Sequence, residues 1–250
     1  MENRTILITG AASGIGAATA LRLVQPGDRV LLHTRRNAEK LEEVAKAVRA
    51  KDAKAECILR DLGEPGAGRD LITACADHFG GMDILVANAG YADKAPLGEA
   101  GGVERFDQAH GAIARSFFEM AEAALPLLEA SRRGRAIAVG AFGPHVWRTD
   151  LPSFPATAAA KAALEATVRA LALKLGPSGA TANVVAPGFI EKDAGTHAAV
   201  SAEAVAELTS CIPMARRGTP AEVAAVIVFL SSLEASYVTG QVIHVNGGLI

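Results

Sequence analysis

The chain has 250 residues, half of them hydrophobic, and a formal net charge of -2, enough apolar material for one large core within the size range of an undivided α/β domain. Acidic and basic residues are interspersed, which excludes the basic field of a nucleic-acid binder, and no lysine-rich amphipathic stretch suits a membrane surface. No apolar run reaches the ~18 residues of a membrane span, so a small-molecule substrate is the expected partner.

Met1-Glu2-Asn3-Arg4 leads directly into the first apolar run, and the expectation is a cytoplasmic chain without a signal peptide. Cys57, Cys75 and Cys211 are odd in number and lack metal-ligand spacing, and the six histidines are scattered. Buried free thiols, no disulfide and no metal site are expected.

Taken in chain order, short apolar runs alternate with longer helical patterns. Strands are predicted near 5–9, 29–34, 55–59, 82–87, 134–140, 180–186 and 241–245, and helices near 14–25, 37–50, 66–79, 103–130, 155–176 and 220–231. That alternation predicts a single-domain, doubly wound parallel sheet of the Rossmann type over residues 1–250, with about seven strands and helices on both faces. Residues 63–68 and 141–154 read as surface loops, and 189–213 as a possible substrate lid beside the carboxyl edge of the sheet.

The first strand runs into Thr9-Gly10-Ala11-Ala12-Ser13-Gly14-Ile15-Gly16 and then a helix. Gly10, Gly14 and Gly16 permit a tight turn and the close approach of a pyrophosphate to main-chain N–H groups at the positive end of a helix. The second strand ends in His33-Thr34-Arg35-Arg36, where a carboxylate would select NAD. Two guanidiniums favour a 2′-phosphate instead, so NADP is the expected cofactor.

The chain resembles the short-chain dehydrogenase/reductase family over essentially its whole length. The resemblance is carried by the glycine turn, Asp61-Leu62, Asn88-Ala89-Gly90, Asn183-Val-Val-Ala-Pro187-Gly188-Phe189-Ile190 and Tyr237-Val-Thr-Gly240 through Asn246-Gly247-Gly248. It implies cofactor contacts from Gly10, Ser13, Gly14, Ile15, Gly16, Arg35, Arg36, Asp61, Leu62, Asn88, Gly90, Lys161, Pro187, Gly188 and Ile190. It also implies a homo-oligomer, a tetramer, through the long fourth and fifth helices and the C-terminal segment.

The family's chemistry uses a serine, a tyrosine, a lysine four residues later and an asparagine in the fourth helix. Matched to that pattern, Lys161 stands at the lysine, whereas Thr157 stands at the tyrosine, Ala141 at the serine and Ile113 at the asparagine. An aliphatic hydroxyl titrates roughly 5 to 6 units above a phenol, equivalent to about 7 to 8 kcal/mol, and loss of an oxyanion donor costs about 3 to 4 kcal/mol in other enzymes. Thr157 therefore does not inherit the tyrosine's role unchanged.

The loop between Ala141 and Thr157 is about three residues longer than the family pattern and carries His145, a candidate acid that titrates near neutrality. Tyr91, directly after Asn88-Ala89-Gly90, is a second candidate, a phenol near the cofactor turn, and Lys192 stands where the family usually has a threonine. The expected function is an NADP-dependent oxidoreductase on a carbonyl or alcohol with an altered proton donor, its catalytic residues being Lys161, Thr157 and His145. The alternative is a catalytically lapsed NADP-binding protein, a sensor or partner subunit. A halohydrin dehalogenase is disfavoured, because those proteins keep the serine and tyrosine and lose the glycine loop.

Overall fold

The computed structural model describes residues 3–191, 206 and 209–249. Seven strands form one sheet: β1 (Thr5–Ile8), β2 (Arg29–Thr34), β3 (Lys54–Leu59), β4 (Ile84–Ala87), β5 (Arg135–Val139), β6 (Thr181–Pro187) and β7 (Val242–Val245). Their order is β3-β2-β1-β4-β5-β6-β7, and every pairing is parallel. The doubly wound, Rossmann-type fold expected from the alternation is therefore present, with each expected strand within about two residues of its predicted bounds.

The helices are α1 (Gly14–Leu23), α2 (Ala38–Arg49), α3 (Ala67–Phe79), α4 (Gly102–Ala109), α5 (Ser116–Ala130), α6 (Pro155–Leu175) and α7 (Pro220–Leu230). Side-chain alternation along the strands divides the core between two faces. Ile6 and Ile8 of β1 point to the layer of α1, α2 and α7, where Ala20, Leu41 and Ile227 are buried. Leu7 points to the layer of α3, α5 and α6, with Leu71, Phe117 and Leu164. Strands covered on both sides read as unbroken apolar runs, and β1 and β4 are buried at every position.

One predicted helix is not continuous. The pattern over 103–130 is split by a π-helical turn, His110–Arg115, between α4 and α5. The wider turn holds one more residue per coil than an α-helix, and it seats Ile113 in the core at 1% exposure. Ser116 Oγ donates back to the Ala112 carbonyl at 2.8 Å at its end. Apolar periodicity is blind to this change, because it keeps the same face inward.

Two loop expectations also need correction. Gly68 belongs to α3 and is buried, and residues 141–154 are not simply surface: Phe142, Val146 and Leu151 bury with Leu249 into a small satellite core. Of the three cysteines only Cys75 is buried, Cys57 and Cys211 being half-buried. Most of the expected lid, 192–205 with 207 and 208, and Lys192 within it, lies outside the described residues. Among the described residues no helix is long and apolar enough to cross a membrane.

The α3–α5 contact is tight because Gly68 has no side chain. A Cβ built there would stand 2.2 Å from the Ser116 carbonyl oxygen, and Glu119 of α5 accepts from the N–H groups of Gly66 and Gly68 at 2.9 and 3.1 Å. This carboxylate satisfies the start of α3, whose N-cap has no side chain. Gly68→Ala should push the helices apart and lower stability by about 1–3 kcal/mol, read as a fall in the urea midpoint with an unchanged m-value.

Candidate functional site

The order of the sheet reverses between β1 and β4, which opens a crevice at their carboxyl ends. Thr9 and Asn88 close its floor. Asn88 Nδ2 donates to the carbonyls of Thr9 and Gly10 at 2.9 and 3.1 Å, while Thr9 Oγ1 accepts from the N–H groups of Asn88 and Ala89 at 3.0 and 2.9 Å. Asn88 is thus spent on the turn itself.

Above that floor Gly10 turns at φ +65 and Gly16 passes so close that an added Cβ would lie 2.1 Å from the Gly10 oxygen. Any other residue at 16 would lift α1 off the strand. Ser13 is the N-cap of α1, exposed and extended, with no side-chain bond to the first turn, which also lacks an acidic residue. The N–H groups and positive dipole end of α1 therefore face the crevice, an arrangement that suits a phosphate.

His33, which the sequence reading passed over, locks this loop to its neighbours. Its Nδ1 accepts from the Gly10 N–H at 3.4 Å, its Nε2 donates to the Arg60 carbonyl at 2.8 Å, and its own carbonyl accepts from the Ala11 N–H. The ring is 1% exposed, and burial holds its pKa below the usual value of 6.5. These contacts need the neutral ring with its proton on Nε2.

Arg35 and Arg36 follow directly, both exposed, and the Arg35 charge is felt by the Tyr91 phenol. Asp61 accepts from the Gly63 N–H at 2.9 Å, whereas Leu62 is a core residue. Tyr91, beyond the exposed Gly90, is half exposed, and burial beside Asp93 raises its phenol above 10. Pro187 and Gly188 end β6 at the same edge, the Gly188 N–H donating to Val245, and Ile190 bridges to Gly218.

On the other side of the crevice α6 presents Thr157 and Lys161 one turn apart. Both are buried. Thr157 Oγ1 makes one long bond, 3.4 Å, to the Phe154 carbonyl. Lys161 Nζ donates to the Val139 carbonyl at 2.5 Å and lies beneath Gly90. Burial lowers its pKa to about 8, against the opposing pull of Glu165.

His145 stands on the satellite core of the long loop, its Nε2 2.8 Å from Glu165 Oε1 and its ring edge-on to His244. Glu165 was not foreseen. Its signal was the i, i+4, i+8, i+12 stripe of Thr157, Lys161, Glu165 and Arg169 on a helix otherwise rich in alanine and leucine. The site thus gathers the glycine turn, Arg35, Arg36, Asn88, Gly90, Lys161 and Thr157 along one sheet edge, with His145 joined to it through Glu165.

A family model described as enoyl-(acyl carrier protein) reductase matches residues 10–250. Short-chain dehydrogenase/reductase eriH of Hericium erinaceus is 33% identical to this chain, covering 97% of it and 96% of its own length. 3-Oxoacyl-(acyl-carrier-protein) reductase FabG of Vibrio cholerae is also 33% identical, over 100% of this chain and 98% of its own. Among solved structures, a short-chain dehydrogenase of Burkholderia cenocepacia in complex with NADP superposes with a TM-score of 0.88 at 30% identity, covering 98% of this chain and 97% of that one. The RhlG/NADP active-site complex of Pseudomonas aeruginosa gives the same score and identity over 100% and 96%.

Because His33 is held neutral, its contribution to stability is complete above pH 6.5 and is lost as pH falls from there towards its lower folded-state value. Chemical denaturation at a series of pH values should show stability falling through this window in the wild type. His33→Asn should be less stable at neutral pH and should flatten that slope.

Proposed function

The chain belongs to the short-chain dehydrogenase/reductase family, and on that premise we propose that it is an NADP-dependent oxidoreductase acting on a carbonyl compound or the alcohol it becomes, with a proton donor other than a tyrosine. The observation that carries the reading is the backbone cradle, in which an added Cβ at Gly16 would fill the turn and Ser13 leaves the start of α1 without a cap from its own side chain. Its residues fit the cofactor group by group. The α1 N–H groups and Ser13 suit the pyrophosphate, the exposed Arg35 and Arg36 suit the 2′-phosphate, and Lys161, whose Nζ spends one donor on Val139, has others for ribose hydroxyls.

When bound, the cofactor supplies a hydride. The rest falls to the chain. Asn88 holds the turn, while Gly90, Pro187, Gly188 and Ile190 would hold the nicotinamide side and Asp61 would hold the adenine side. Lys161, at about 8, is poised to hold or give up a proton near neutrality.

The altered proton donor rests on three positions. Ala141 has no side-chain donor, Ile113 is sealed in the core, and Thr157 is a buried aliphatic hydroxyl that already bonds the Phe154 carbonyl. Lys161 is therefore the acidic N–H that the reading assigns to the cofactor side of the crevice. His145 acts behind it. Association of copies belongs to the same proposal, since α5 and α6 leave Phe118 54% and Leu173 82% exposed, a surface suited to a second copy.

Calorimetry should detect NADPH binding, and Arg35→Ala should weaken it by roughly tenfold to a hundredfold, as expected for charged hydrogen bonds, while leaving NADH binding unchanged. Stopped-flow mixing of the NADPH-loaded protein with a broad carbonyl panel should then reveal loss of the reduced-nicotinamide signal; no hydride transfer to any member overturns the oxidoreductase reading. Light scattering should give a mass above that of one chain, and a monomer would remove the proposed association.

A further inference from the structure

Glu165 is the only acidic residue of α6, and its side chain is 4% exposed. It sits one turn beyond Lys161 and one turn before Arg169. Three elements converge on it: α6 itself, the loop after β5, which brings His145 Nε2 within 2.8 Å of Oε1, and β7, whose His244 ring lies 4.6 Å from that of His145. Arg169 Nη2 approaches Oε2 at 3.8 Å. A carboxylate buried without partners costs several kcal/mol, and a leucine would serve packing alone at this position.

The carboxylate stands between a sealed group and an open one. Lys161 is buried beneath Gly90, whereas the His145 side chain remains 28% exposed. The one-turn spacing of Lys161 and Glu165 sets their Cβ atoms about 5–6 Å apart; Nζ is turned to Val139 and makes no direct ion pair with the carboxylate, whose charge still reaches it through space, so transfer between them runs through a bridging water. We propose that Glu165 and His145 form the line along which Lys161 exchanges its proton with solvent, Glu165 being a positioning residue for the ammonium and His145 the proton inlet.

The balance is simple. A proton leaves Nζ towards the reacting oxygen, one passes from His145 Nε2 to the Glu165 carboxylate and on to the amine, and water protonates His145 at Nδ1. No net charge stays in the line. The charged and titratable groups around it among the described residues are Arg169 from α6, His145 from the loop and His244 from β7. The His244 pKa is lowered by burial and by the charge of His145, so this neighbour favours its neutral form and leaves Glu165 to His145 and Lys161. The proposal rests on the oxidoreductase reading for its purpose, since there Lys161 faces the reaction.

The test follows Lys161 itself by NMR of the protein labelled in its lysine side chains, with Lys161→Arg identifying the signal. In the wild type the ammonium should titrate at about pH 8. Glu165→Gln removes the anion that favours the charged form, so the midpoint should move to lower pH, and Glu165→Asp should restore part of the difference. His145→Asn should slow exchange of the Nζ protons with water by about tenfold or more. An unmoved midpoint in Glu165→Gln, or unslowed exchange in His145→Asn, overturns the proposal; if Glu165→Gln does not fold, the exchange measurement decides alone. Calorimetry of the wild type with NADPH separates the two levels, because absent binding would remove the functional reading while leaving the Lys161 titration to judge this line.

Discussion

Four hydrogen bonds join Thr9 and Gly10 to Asn88 and Ala89, and everything at the carboxyl edge of the sheet depends on them. β1 and β4 are neighbours whose following helices depart to opposite faces, so their last residues would otherwise leave polar backbone groups unpaired in a dry cleft. The Asn88 amide and the Thr9 hydroxyl answer both strands at once. With the floor fixed, Gly10 and Gly16 can approach closely enough to aim α1 along the crevice, and His33 can hold the second strand to the same loop.

The opposite wall is built on a different principle. Lys161 and Glu165 are charged groups on the buried face of a helix, and lowering an ammonium from 10.5 to about 8 corresponds to about 3 kcal/mol of unfavourable environment. Structural advantage alone does not account for keeping such a group, because an apolar side chain of similar length would pack there without that penalty. Its position fits chemistry. The Val139 carbonyl and the nearby Glu165 partly offset the burial, and they do so without neutralising the ammonium in a closed ion pair.

The fold and the glycine turn were legible because both are written in local chemistry. Apolar runs report buried parallel strands and glycines report turns that no other residue makes, while the adjacent arginines at the end of β2 carry the proposed preference for phosphate. The break at His110–Arg115 was not legible, since a π turn preserves the inward face that periodicity measures. His33 was hidden inside a strand where an apolar residue would have fitted the pattern equally well. Glu165 was missed for the reverse reason: its spacing to Lys161 was visible, but its partner His145 is brought from 20 residues upstream by the loop, and no local pattern encodes that meeting.

On the proposed reading, that loop accounts for an acid–base wall built differently beside an ordinary glycine turn. Phe142 packs edge-on against Phe154 and lies 4.6 Å from Phe189, so the segment carries its own apolar anchor rather than borrowing from the main core. Phe154 is also the N-cap of α6, and its carbonyl takes the Thr157 hydroxyl. The aromatic trio of Phe142, Phe154 and Phe189 fixes the loop from which His145 reaches Glu165. On the proposed reading, loss of the phenol and arrival of the imidazole are then two consequences of one rearrangement, a longer loop with a core of its own. The sheet meets this wall through two carbonyls at its edge, Val139, held by Lys161, and Pro187, which accepts from the Phe142 N–H at 3.1 Å.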